Sequence, residues 1–230
     1  MFETAIHAFG ETFSPPLQRI LVKSIGLAFL LLIVLGMIVQ ATITHIVSLP
    51  YPFDMALAIF TALGIIAGAV YLMPPITSLV ASLFFDDIAE EVERRNYPAD
   101  PVGNALPVTT SVLLSLRFFG LVLIVNLIAL VLLILPGVNV AVFFFANGYL
   151  LGREYFELAA MRFRPIEEAR ALRRANAIRI FLAGLVIAAI VIIPIINLIT
   201  PVFATAFMVR MHKNISRENL ASEALAAPAD

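Results

Sequence analysis

The chain has 230 residues, of which 61% are hydrophobic and 13% charged, with a mean hydropathy of +1.00. A soluble globular chain is about 45–50% apolar and about a quarter charged, so this one carries more apolar surface than a water-facing particle can hide. It reads as an integral membrane protein. Zero cysteines exclude a disulfide scaffold, a thiolate metal site and a cysteine nucleophile. The histidines (His7, His45, His212) are too scattered to suggest a metal cluster, and a net charge of −1 offers no basic field for nucleic acid. The length fits one membrane domain without a separate soluble catalytic domain.

At the N-terminus, Phe2, Ile6, Phe9 and Phe13 recur at helical spacing. Residues 1–19 therefore read as an amphipathic helix, lying either on the membrane surface or on the protein itself. A secretory signal has a basic start and an apolar core of about 7–15 residues. Here Glu3 and Glu11 precede a much longer apolar run, which is expected to stay as a transmembrane helix. Crossing a ~30 Å hydrocarbon core takes about 20 apolar residues. Residues 24–47 and 55–73 meet that requirement, and Pro74-Pro75 predicts a kink after the second. Beyond it, Val80, Phe84, Ile88 and Val92 form an i, i+4 stripe beside Asp86, Asp87, Glu90, Glu91 and Glu93, so the helix is expected to leave the bilayer with one apolar face. Those acids suit pairing with arginines or solvation better than anion binding.

The later apolar stretches come as two pairs. Residues 112–135 and 140–151 are joined by Ile134-Leu135-Pro136-Gly137-Val138-Asn139. Residues 181–193 and 198–209 are joined by Ile192-Ile193-Pro194-Ile195-Ile196-Asn197. Both joints read apolar-Pro-x-x-Asn and hold no charge. Three of the four stretches are 12 or 13 residues long, a length more often buried or re-entrant than spanning. The expected fold is an all-α integral membrane protein with two long transmembrane helices plus two re-entrant, half-penetrating helical hairpins, at about 112–151 and 180–211. Six full spans with tight turns are the alternative. The membrane domain is expected over 20–213, and the Ala-rich, polar residues 214–230 are expected to form a disordered tail. Charge bias in the loops places both termini and both hairpin bases on the cytoplasmic side.

Polar groups at membrane depth are costly and are the first functional candidates. Asn139 and Asn197 would each open a half-helix whose positive dipole end suits an anion, or would merely cap it. Arg117 either snorkels to the interface or faces a pathway. Arg153 can offer a bidentate guanidinium to an oxyanion or pair with acid. Arg170, Arg173 and Arg174 form a cytoplasmic basic face for lipid head groups or for funnelling anions. Gln40, Thr42, Thr44 and His45 are ordinary interface residues or line an outer vestibule. No GxxxxGK[ST] or GxGxxG loop occurs, and no Ser/His/Asp set sits in a plausible pocket, so neither a cofactor nor an enzyme activity is expected.

Three stretches carry a resemblance: Phe85-Asp86-Asp87-Ile88-Ala89-Glu90-Glu91-Val92-Glu93, then Gly152-Arg153-Glu154-Tyr155 through Arg173-Arg174, and Ile193-Pro194-Ile195-Ile196-Asn197-Leu198-Ile199-Thr200-Pro201. In this order the chain resembles the CysZ sulfate-permease family, part of a wider group named after an etoposide-induced membrane protein. The resemblance implies a bacterial inner-membrane protein, assembly into dimers or larger oligomers, and sulfate uptake feeding cysteine synthesis. Family members carry a Gly-Leu-Arg-type sulfate-contacting segment before the first long helix. This chain has Ser14-Pro15-Pro16-Leu17-Gln18-Arg19-Ile20-Leu21-Val22-Lys23 there, leaving Arg19 and Lys23 as the cations in its place. A non-transporting membrane scaffold of the same fold is the second reading.

Overall fold

The computed structural model describes residues 2–47, 50, 53–131, 138–193 and 196–226, and within them the side chains of 2, 74, 75, 77–79, 81, 82, 108, 115, 118, 126, 129, 131, 138–140, 198 and 223–226 are not described. The described chain is all helical: α1 (Phe2–Thr12), α2 (Pro15–Ile46), α3 (Phe53–Asn96), α4 (Val108–Val131), α5 (Val138–Met161), α6 (Ile166–Ala175), α7 (Ala177–Val191), a 3₁₀ turn (Ile196–Ile199) and α8 (Thr200–Ala226). No strand occurs among the described residues.

Two helices are long and apolar enough to cross a membrane: Pro15–Ile46 and the first part of α3, Phe53–Met73. They pack on each other and leave Phe29, Leu30, Ile33, Phe60, Leu63 and Ile66 exposed, as lipid-facing residues should be. The first span starts earlier than its apolar run because Pro15 and Pro16, preset for helical φ, occupy the first turn after Ser14. The helix assignment of α3 continues through Pro74-Pro75 to Asn96.

Below the spans the chain gathers into a packed head. Its core joins Phe85, Ile88, Ala89 and Val92 of α3 to Tyr155, Phe156, Ala159 and Ala160 of α5 and Phe203, Phe207, Met208 and Met211 of α8. The α3 face is the i, i+4 stripe of the sequence. Arg162, with its side chain 1% exposed, bridges the head: its Nε and Nη2 donate to Glu93 at 3.0 and 3.1 Å, Nη1 to Asp86, and Nη2 to the Gly103 carbonyl at 3.0 Å. Asp86 and Glu93 of α3 thus pair with Arg162, and Glu90 pairs with Arg94 of its own helix.

α5 and α7 cross with backbone almost touching backbone. A Cβ on Gly184 would lie 1.9 Å from the Gly148 carbonyl oxygen and 2.8 Å from the Gly152 Cα. Small residues permit this approach, as they do between membrane helices generally. At the foot of α7, Asn176 donates its side-chain amide to the Leu172 carbonyl at 3.0 Å and turns the chain by 91° between α6 and α7. This bent pair is compatible with a re-entrant arrangement.

Three expectations change. The 140–151 stretch is only the front half of α5, which runs to Met161 because its later residues are buried in the head. Residues 214–226 continue α8 rather than forming an unstructured tail, since its charges find partners: Lys213 and Arg217 on Asp100 at 3.3 Å each, and Arg179 on Glu218 at 2.6 Å. Residues 227–230 lie outside the described residues. The N-terminal helix ends at Thr12 rather than at residue 19. It docks through Ala8, Thr12 and a 2.7 Å Glu11–Arg210 pair, which leaves Ile6 and Phe13 exposed. The turns at 134–137 and 194–195 lie outside the described residues.

Replacing Gly184 by leucine should destabilise the protein at or above the upper end of the ~1–3 kcal/mol that overpacking usually costs. Thermal denaturation followed by circular dichroism measures it, with Gly26→Ala, where a Cβ meets nothing within 4 Å, as the tolerated control. Arg162→Ala should cost about 3–5 kcal/mol by stranding the buried Glu93 carboxylate, read by the same melt.

Candidate anion cavity

A cavity of about 430 Å³ opens where α4, α5 and α6 meet. α4 supplies Arg117 with Leu114, Gly120, Leu121 and Ile124; α5 supplies Leu150, Arg153, Glu154 and Glu157; α6 supplies Arg170. The site is positioned locally by simple means. Glycines hold α5 against α7, which fixes the face bearing Arg153, Glu154 and Glu157. Pro165 starts α6, Glu167 and Glu168 suit its positive end and Arg173 and Arg174 its negative end. Leu172 and Ala169 anchor that helix in the core, which turns Arg170 and Arg173 toward α5.

Glu157 is the hub. Arg173 Nε donates to its carboxylate at 2.7 Å, Arg153 Nε lies at 3.4 Å and Arg170 Nε at 3.8 Å. Arg170 Nη1 also donates to the exposed Glu167 at 3.4 Å, yet these carboxylates cannot saturate so many guanidinium N–H groups, and Arg153 Nε is buried without a hydrogen-bond partner among the described residues. Arg117 completes the cationic lining, exposed at the surface of α4. The spare donors and surplus positive charge suit an oxyanion, whose oxygens match the planar guanidinium fork. Glu154 sits among these groups without an ion pair or side-chain hydrogen bond among the described residues. Burial first, and then the Glu157 charge, push its carboxyl up to about 7, against the pull of Arg153, Arg117 and Arg170.

The structure therefore brings together Arg117, Arg153 and Arg170, which lie on three helices. Arg173 joins them through Glu157, whereas Arg174 points away and is exposed, so the basic face of α6 divides. Arg19 and Lys23 are exposed on α2, outside the cavity and without an ion pair among the described residues. Asn197 is buried in the 3₁₀ turn, where its side-chain oxygen accepts a hydrogen bond from the Thr200 hydroxyl at 3.2 Å and its backbone N–H donates to Ile193 at 2.7 Å. Asn139 is the second residue of α5, and its side chain lies outside the described set. Gln40 and Thr44 line a smaller cavity of about 180 Å³ with Asp54 and Thr61, while Thr42 and His45 do not. A groove of about 290 Å³ between α2 and α3 is lined by apolar residues, with Thr61 its polar side chain. Sequence reasoning passed over Glu154 and Glu157 as lining groups; the i, i+4 spacing of Arg153 and Glu157 was the available signal.

The fold and the cavity together define an all-helical membrane protein with an arginine-lined recess at the edge of its apolar region. The chain matches, over residues 4–201, the family model described as Sulfate transporter CysZ/Etoposide-induced protein 2.4, and it belongs to that family. No curated protein matches it.

The raised Glu154 pKa carries a consequence for stability. The folded protein holds this proton more tightly than the unfolded chain, whose carboxyl titrates near 4.5. Its contribution is complete below pH 4.5 and is lost as pH rises through about 7. Denaturation midpoints across this range should fall with pH in the wild type, and Glu154→Gln should flatten that component.

Proposed function

We propose that the protein is an inner-membrane permease or channel for sulfate or a related oxyanion, with the Arg117–Arg153–Arg170 cavity as its cytoplasmic anion seat and no energy source of its own. The convergence of these arginines from three helices carries the reading. The family description, which names a sulfate transporter, supports the substrate class. In this reading both termini face the cytoplasm, since the basic α6 lies beside the cavity and basic segments favour that side. The exposed Ile6 of α1 and Phe13 just after it enter the head-group region, and Arg174, Arg19 and Lys23 contact lipid phosphates. The hairpins α4–α5 and α7–α8 enter the bilayer part-way, and a dimer or larger homo-oligomer completes the pathway.

The helix ends at Asn139 and Asn197 are the competing seats. Because the Asn197 backbone N–H already donates to the Ile193 carbonyl and its side chain carries no charge, its replacement should affect flux less than loss of a cavity arginine. Radiolabelled sulfate uptake into proteoliposomes tests this. Arg117→Gln and Arg153→Gln should each lower saturable uptake about tenfold, as expected for losing a charged hydrogen bond worth about 1.5–3 kcal/mol. Asn197→Ala should retain most of it. The opposite ranking would move the seat to the helix ends. Absence of uptake from folded wild-type protein would favour the scaffold reading.

A further inference from the structure

The two carboxylates of the cavity are used unequally. Glu157 is held by Arg153, Arg170 and Arg173, and works as a fixed counter-ion. Glu154, one helical turn earlier on the same lining, has no ion pair or hydrogen bond among the described residues. The charged groups facing it are Arg117 from α4, Arg153 and Glu157 from α5, and Arg170 from α6. The next side chain, Tyr155, is buried against Phe85.

An unpaired carboxyl beside an anion has two modes. Protonated, it is a hydrogen-bond donor; ionised, it is an acceptor that repels negative charge. Sulfate at neutral pH has oxygens that only accept, so it needs the donor. Hydrogen phosphate keeps an O–H, so it can donate to the ionised form and offset part of the repulsion. We propose that Glu154 is the specificity-determining residue of the cavity, admitting fully deprotonated oxyanions such as sulfate when protonated and favouring proton-bearing oxyanions such as hydrogen phosphate when ionised. Sulfate then binds together with one proton taken from solvent by the Glu154 carboxylate, and the anion itself undergoes no covalent change. The balance point falls in the physiological range because burial and Glu157 raise the Glu154 pKa to about 7. The inference rests on the cavity being the anion seat.

Isothermal titration of the purified full chain with sodium sulfate and with sodium phosphate, at a series of pH values, tests it in the wild type, E154Q and R153Q. The sulfate Kd of the wild type should rise by up to about tenfold per pH unit above about 7, with the preference shifting toward phosphate. E154Q should lose both the slope and the shift. This variant is decisive because it removes the Glu154 carboxyl alone, and burial holds the His212 imidazole down at about 3. R153Q should weaken sulfate at every pH. A slope that persists in E154Q, or a flat wild type whose binding R153Q still weakens, would overturn the role of Glu154 and leave the cavity standing. Sulfate binding indifferent to R153Q, or none at any pH, would overturn the cavity reading and this inference with it.

Discussion

The contact between α5 and α7 at Gly148, Gly152 and Gly184 is the constraint on which the site depends. At this crossing there is no room for a single methyl group. The approach sets the rotation of α5 about its own axis, and so decides which of its residues face α3 and which face α4 and α6. Tyr155 and Phe156 enter the core, while Arg153, Glu154 and Glu157 are left to line the recess. The bend at Asn176 then returns α6 across the same face and delivers Arg170 and Arg173 to Glu157.

Two charge clusters built from similar residues behave differently because their stoichiometry differs. In the head, Arg162 meets Glu93, Asp86 and the Gly103 carbonyl, which engage four of its five N–H donors. Such a buried network is strongly disfavoured to break, and it locks α3 to the end of α5. In the cavity the balance is reversed. Arg117, Arg153, Arg170 and Arg173 outnumber Glu157 and Glu167, the carboxylates that pair with them, so guanidinium donors remain. One cluster holds the fold; the other has capacity to spare.

Much of the architecture was legible in the sequence because membrane crossing imposes a length. Residues 24–47 and 55–73 announce themselves as runs of about 20 predominantly apolar residues, and the α3 stripe through Phe84, Ile88 and Val92 announces the buried face below them. The helical continuation through residues 214–226 was not legible, since its stabilising partners Asp100 and Arg179 are far away in sequence. The site was half legible. Arg117, Arg153 and Arg170 were each suspect for lying beside apolar helices, but nothing local says that they meet. Their separations of 36 and 17 residues are closed by the packing of α4 on α5 and by the bend that returns α6 to α5. Arg173 and Arg174 are neighbours in sequence, yet only the first turns inward, because helical rotation separates adjacent side chains by about 100°.

The central claim is the location of the anion. It is tested most directly by anomalous diffraction from crystals of the protein grown with selenate, a heavier analogue of sulfate. The account predicts an anomalous peak among the guanidinium groups of Arg117, Arg153 and Arg170. A peak instead at the N-terminal ends of α5 and α8 beside Asn139 and Asn197, or at Arg19 and Lys23 on α2, would contradict it.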